Sequence, residues 1–316
     1  MLNVVALLIS CAVVVLFVWL AMRARRLRNV AAKWGGTLTA ALAALLFGAI
    51  AAAMAIGFYK VHARHAPVPD IKVAGTPEQI KRGQSIAASF CGSCHSRAGT
   101  LTGGADLGKD FPIPVGSFVA SNLTPTGELR HWTDGQIFRA IRNGVDADGH
   151  WLVVMSLINA SHLSDDDTNA LIAYIRSVPA AGQETANPPD EFNPIGLLLL
   201  GTGFLPSGKP VVGGAIEAPA KAPSAEYGGY ILSYQDCRNC HGANLAGGVP
   251  GQLTPIGPGL AMVKDWKLED FIATLRTGTD PSGHVINSQM PWKPIGNMDD
   301  DELGAIYQYL IHLPDL

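Results

Sequence analysis

Two apolar runs open the chain, "LNVVALLISCAVVVLFVWL" over residues 2–20 and "LTAALAALLFGAIAAAMAIGF" over residues 38–58. Behind them the pattern changes to short amphipathic stretches divided by glycine and proline. Each run is long enough to cross a hydrocarbon core as a helix. Asn3, Ser10 and Thr39 are the only clearly polar interruptions, and a helix satisfies its own backbone in lipid. Further on, "TPEQIKRGQSIAASF" and "SAEYGGYILSY" each predict a short amphipathic helix. "TDGQIFRAIRNG" sets Ile137, Ala140 and Ile141 at helical spacing and stops at Gly144. Acidic clusters at Asp165 and Asp300 predict the openings of two more helices, where negative charge suits the dipole, with Pro179 and Pro314 as their stops.

These later elements come in pairs. "HWTDGQIFRAIRNGVDADGH" (131–150) matches "DWKLEDFIATLRTGTDPSGH" (265–284), pairing Trp132 with Trp266, Arg142 with Arg276 and Gly144 with Gly278. "DDDTNALIAYIRSVP" matches "DDELGAIYQYLIHLP" in the same way. Self-similarity at this scale predicts two copies of one small domain. Ahead of the tryptophan the first copy carries 12 extra residues, expected to form a surface loop. The predicted division is therefore 1–66 as a two-helix anchor, 67–180 and 226–316 as the two domains, and 181–225 as a Pro/Gly/Ala-rich linker. Within the linker, "NPIGLLLLGTGFLP" (193–206) is too short to span a bilayer; packing between the domains, dipping into the membrane surface and docking on a partner are the alternatives, with burial against protein favoured.

Charge supports this division. The first 66 residues hold seven Lys or Arg and no acid, whereas 226–316 has eleven acids against five bases, so the net −3 averages a basic front and an acidic back. Arg23, Arg25, Arg26, Arg28 and Lys33 lie between the apolar runs. The positive-inside tendency puts that linker in the cytoplasm, with everything after Phe58 outside. The alternative for the first run, a cleaved signal peptide, wants positive charge before the apolar stretch, and none is there. No basic patch interleaved with aromatics speaks for nucleic acid.

Four of the five cysteines fall in two copies of one device, Cys91-x-x-Cys94-His95 and Cys237-x-x-Cys240-His241; Cys11 lies in the first apolar run. A redox dithiol needs no trailing histidine, and a zinc site would have to gather ligands from both copies. Covalent c-type haem needs all three residues, two thiols for the vinyl groups on one porphyrin edge and a histidine beneath the iron. Two c-type haems are expected. A methionine on the far side would give an electron carrier with no open position. Met155 and Met290 stand 64 and 53 residues after Cys91 and Cys237, a mismatch of one once the 12-residue excess is removed. Met298 and Met262 are weaker competitors in the second copy. His131, His150, His162, His284 and His312 stay unassigned. Trp132 and Trp266 are expected in the cores or against haem, and Arg142 and Arg276 either beside haem propionates or at the surface.

With these residues in place the chain resembles a class I dihaem cytochrome c: mainly α, two N-terminal transmembrane helices followed by two tandem cytochrome c domains. The first domain resembles the cytochrome c subunits of membrane-bound alcohol and aldehyde dehydrogenases through "CGSCH", "SNLTPTGELRHWTDGQIFRAIRNGVDADGHWL", Met155 and "HLSDDDTNALIAYIRSVP". That family has Met-Pro at the ligand position; here Ser156 follows Met155, while Met290-Pro291 keeps the pattern. The plan of two spans and two haem domains resembles the dihaem subunit of cbb-type cytochrome oxidases. The expected role is single-electron relay on the periplasmic side of a bacterial inner membrane, as an electron-transfer subunit of a respiratory or photosynthetic membrane complex and not an enzyme by itself. Its expected partners are other subunits held through the transmembrane helices and a soluble cytochrome or copper protein. The alternatives are the electron-accepting subunit of a membrane-bound dehydrogenase, a dihaem peroxidase, which requires an open iron position, and a haem-based sensor or structural anchor.

Overall fold

The computed structural model describes residues 2–96, 99–183, 190–252 and 254–314. In chain order its helices are α1 (Leu2–Ala24), α2 (Val30–Ala63), α3 (Pro77–Ile86), α4 (Gly92–His95), α5 (Asp134–Asn143), α6 (Val153–Leu157), α7 (Asp165–Ser177) and α8 (Pro194–Thr202). The second copy supplies α9 (Ala225–Tyr234), α10 (Cys237–His241), α11 (Leu268–Thr277), α12 (Trp292–Ile295) and α13 (Asp300–Ile311). Two short strands, β1 (Gly116–Ser117) and β2 (Glu191–Phe192), pair antiparallel.

Both predicted spans are helices long and apolar enough to cross a membrane. α2 runs beyond its apolar stretch at both ends, because Asn29 caps it by accepting from the Ala32 N–H and no proline interrupts it. Phe17 stacks on Phe47 between the two helices.

Packing groups the chain differently from its order in sequence. One compact unit holds α1, α2 and α8 together with residues 106–118 and both strands; the other holds both repeat copies. In the first unit α8 lies on α2 with backbone touching backbone. A Cβ on Gly57 would fall 2.1 Å from the Leu197 carbonyl oxygen, and one on Gly201 1.7 Å from that of Ala53. This is the small-residue packing that lets helices approach without a large apolar drive. Lys60 donates to the Leu200 carbonyl, and Leu197 and Leu200 are buried. The apolar segment of the linker thus does bury against protein. The extra residues of the first copy are ordered around Asp106, whose carboxylate accepts from the N–H groups of Gly108 and Phe118 and from the Ser117 hydroxyl. They meet the α8 segment where the Asn193 N–H donates to the Val115 carbonyl and Phe118 meets Phe192 edge-on.

In the second unit each copy crosses its first helix over its last. A Cβ on Gly83 of α3 would lie 1.9 Å from the Ala170 oxygen of α7, and one on Gly228 of α9 2.0 Å from the Ala305 oxygen of α13. The sequence signals for ends hold. Thr76 and Thr133 form capping boxes with Gln79 and Gln136, as Asp299 does with Glu302. Gly144 and Gly278 close α5 and α11 at φ 59° and 74°, in the left-handed region that glycine enters without strain. One continuous apolar core runs through both copies, from Ile86, Leu163 and Leu171 to Ile231, Leu245 and Leu303.

Candidate functional sites

α3 passes through a π-helical turn, Ala87–Cys91, straight into α4, so Cys91 and Cys94 share one side of a helical turn. In the second copy α9 ends at Tyr234, and Cys237 and Cys240 sit on α10. All four of these cysteines are half-buried. Burial pushes Cys91 up to about 12, helped by the neighbouring Cys94, and pushes Cys237 to about 12 as well. A reactive dithiol wants the opposite shift. The single group of three potential metal-binding side chains among the described residues, Asp146, Asp148 and His150, includes no cysteine.

The two histidines are held alike. His95 Nδ1 lies 2.8 Å from the Ser121 carbonyl oxygen, and His241 Nδ1 lies 2.7 Å from that of Pro258. A carbonyl only accepts, so Nδ1 carries the hydrogen and Nε2 keeps its lone pair, the tautomer an axial iron ligand requires. Burial lowers the His95 pKa against the opposing pull of that carbonyl, keeping the ring neutral. The loops that bring these carbonyls repeat bond for bond. Gly103 and Gly247 donate to the His95 and His241 carbonyls at 2.8 Å each. Leu123 and Leu260 donate to Leu101 and Leu245, two buried leucines at φ 58° and 62°. Gly257 faces the His241 ring, where a Cβ would stand 2.8 Å from Nδ1. None of these main-chain partners was expected from sequence; the shared "L-x-G-G" after each CxxCH was the available signal.

Met155 and Met290 are both half-buried against the core. Matching short bridges precede them, Val145 with Trp151 and Thr279 with Val285. Leu152 donates to Gly144 and Ile286 to Gly278. From those anchors Met155 is three residues on and Met290 four, which locates the one-residue mismatch. Ser156, standing where proline was expected, is buried and bonded. Its hydroxyl accepts from Trp151 Nε1 at 2.6 Å and donates to the Val153 carbonyl. Of the competitors, Met298 is 1% exposed in the core and Met262 lies at the surface.

The paired arginines hold helices. Arg142 is buried and ties α5 to the start of α7 through the Leu163 carbonyl and Asp165; Arg276 bonds Asp300 in the equivalent place. Trp132 and Trp266 pack against the core. His150 bonds Asp146, His162 the Ser233 carbonyl and His312 the Gln308 carbonyl, while His131 accepts from Arg130.

Residues 78–175 match the family described as cytochrome c oxidase, cbb3-type, subunit III, and residues 227–314 match cytochrome c. Similar curated proteins include a subunit of nicotinate dehydrogenase from Pseudomonas putida, 30% identical over 48% of this chain and 12% of that protein. The fructose dehydrogenase cytochrome subunit of Gluconobacter japonicus is 23% identical over 81% of this chain and 53% of its own length. The cytochrome c subunit of alcohol dehydrogenase (quinone) from Gluconobacter oxydans is 29% identical over 27% and 20%. The chain thus spans about half or less of the length of these relatives.

Proposed function

We infer that this chain, a dihaem cytochrome c whose two tandem cytochrome c domains each imply one covalently bound c-type haem, relays single electrons outside a bacterial inner membrane as one subunit of a larger complex. The observation that carries the residue assignment is the duplicated site: in both domains a Cys-x-x-Cys turn, a histidine with Nε2 left free by a main-chain carbonyl, and a half-buried methionine on the same structural frame. Cys91, Cys94, Cys237 and Cys240 would attach the haems, and His95 and His241, with Met155 and Met290, would hold the two irons. Each haem supplies one-electron chemistry. The protein's part is to fix its ligands in both oxidation states and to shield it from water, which raises the potential. The two long apolar helices anchor the chain, with its basic linker inward, and contact other subunits.

A denaturing gel stained for haem, with an intact mass, tests attachment; the expected mass exceeds the polypeptide by two haems. Met155→Ala and Met290→Ala should each abolish the methionine–iron absorption band of one haem and lower its potential. Two bands that survive both substitutions would move the distal ligands elsewhere.

The relatives, all named as dehydrogenase subunits, favour a dehydrogenase as the electron source. Copurification with a catalytic subunit from solubilised membranes tests this. The acidic second domain offers a docking face to a basic soluble cytochrome or copper protein. A peroxidase requires an open iron. Carbon monoxide leaving the reduced spectrum unshifted at both haems would exclude it.

A further inference from the structure

The two haem domains meet along a seam with an internal likeness. Asp167 and Glu302 hold equivalent third positions in α7 and α13, and both are buried, the Glu302 side chain to 1% exposure. Each accepts a hydroxyl from the other domain's first helix: Tyr230 Oη donates to Asp167 at 2.6 Å and Ser85 Oγ to Glu302 at 3.0 Å. One side chain joins both acids. Arg82 donates through Nε and Nη2 to the two Asp167 oxygens, 2.7 Å each, and through Nη1 to Glu302 Oε1. Burial works against the charge on Arg82, but the bond to Asp167 and its negative charge more than offset it, and its pKa rises.

The likeness stops at that residue. By the crossing glycines, Gly83 and Gly228, the position matching Arg82 in the second domain is Tyr227, so one guanidinium serves two buried carboxylates. The seam also lies close behind both attachment segments. Phe90, immediately before Cys91, meets Tyr234, three residues before Cys237, edge-on with centroids 6.1 Å apart. α12, just past Met290, packs on the turn that ends in Cys91. Asp236, just before Cys237, accepts from the N–H and the side-chain amide of Asn159 in the first domain.

We propose that Arg82 is a positioning residue: by pairing with Asp167 of its own domain and Glu302 of the other at once, it fixes the spacing of the two haem-attachment segments and so the rate at which an electron crosses between the haems. This rests on the dihaem relay reading above. Buried carboxylates stripped of their cation repel each other and seek water, which parts α3 from α13. A lysine cannot replace the arginine in full, because only the planar fork reaches Asp167 bidentately while touching Glu302.

The test uses the full-length, haem-loaded protein in detergent. Its readouts are the magnetic coupling between the two ferric haems by pulsed electron paramagnetic resonance, the interhaem transfer rate after a flash, and each haem's own spectrum. Arg82→Met is expected to leave both spectra intact, weaken the coupling and slow transfer by about tenfold, the sensitivity expected where placement controls rate. Arg82→Lys should fall between. Arg82→Met combined with Asp167→Asn and Glu302→Gln should regain most of the coupling, which a purely packing role for the arginine would not produce. If Arg82→Met fails to assemble, Glu302→Gln alone, which leaves the Arg82–Asp167 pair, is expected to shift the coupling. Wild-type coupling and rate in every assembled variant overturn the positioning role alone. A wild-type protein with fewer than two haems overturns the relay reading, and the proposal falls with it.

Discussion

Ser156 shows how one position can depart from a pattern and keep its job. Its hydroxyl and the Trp151 indole form a buried pair beside Met155, so the turn is fixed by a side-chain bond where the second domain has Pro291. Ser156→Ala removes the hydroxyl that accepts from the buried indole and donates to the Val153 carbonyl, at a cost of about 0.5–1.5 kcal/mol. A lower melting temperature of the haem-loaded protein is the expected result, and an unchanged one would show that the bond contributes nothing. At this scale the candidate side chains are named in the sequence by position, through Cys-x-x-Cys-His and a repeat offset. The groups that orient them are not. Ser121 and Pro258 act through main-chain carbonyls 26 and 17 residues downstream of their histidines, and a carbonyl leaves no mark on residue type. Leu101 and Leu245 sit at positive φ, where sequence reasoning expects glycine.

Among elements, the crossing of first and last helices sets each haem domain's frame. Gly83→Ala would drive a methyl into the Ala170 carbonyl, and overpacking of this kind costs about 1–3 kcal/mol. Gly213→Ala, with nothing near its added methyl, serves as the control. Chemical denaturation should separate the two, and equal midpoints would mean the helices part without loss. Helix starts and stops were legible from caps, acidic first turns and left-handed glycines, since these are local. The extra segment of the first domain was legible only as length. Its order comes from Asp106, whose pKa is lowered chiefly by the Phe118 N–H it accepts, with Gly108 and Ser117 assisting. A depressed carboxylate contributes stability that is present above its unfolded value, about 3.9, and is lost as pH falls through the folded one. Hydrogen exchange at the Gly108 and Phe118 amides should therefore quicken as pH drops below that range, beyond the intrinsic pH trend. Protection that held steady would dissociate the loop from Asp106.

At the scale of the whole chain, charge follows sequence order and packing does not. The excess of acids after Glu226 gives the proposed docking face a long-range field, screened over about 8 Å at physiological salt. Association with a basic soluble carrier is expected to slow steeply as ionic strength rises; a rate indifferent to salt would remove steering by charge. Two repeated domains and an apolar front were legible from periodicity and the doubled motif. The grouping into units was not, because it depends on contacts between α2, residues 106–118 and α8, which lie far apart in sequence and carry no shared pattern.

That grouping bears on any attempt to obtain the haem region free of detergent. Cutting the chain after α2 removes the partner on which α8 rests, yet leaves Leu197 and Leu200, buried in the intact protein, on the remaining polypeptide. Such a fragment should clump or cling to micelles in gel filtration, whereas one that also shortens 106–118 and replaces 190–208 with a polar tether should run as a monodisperse red protein. The unit that holds the two repeat copies is not a contiguous stretch of the chain.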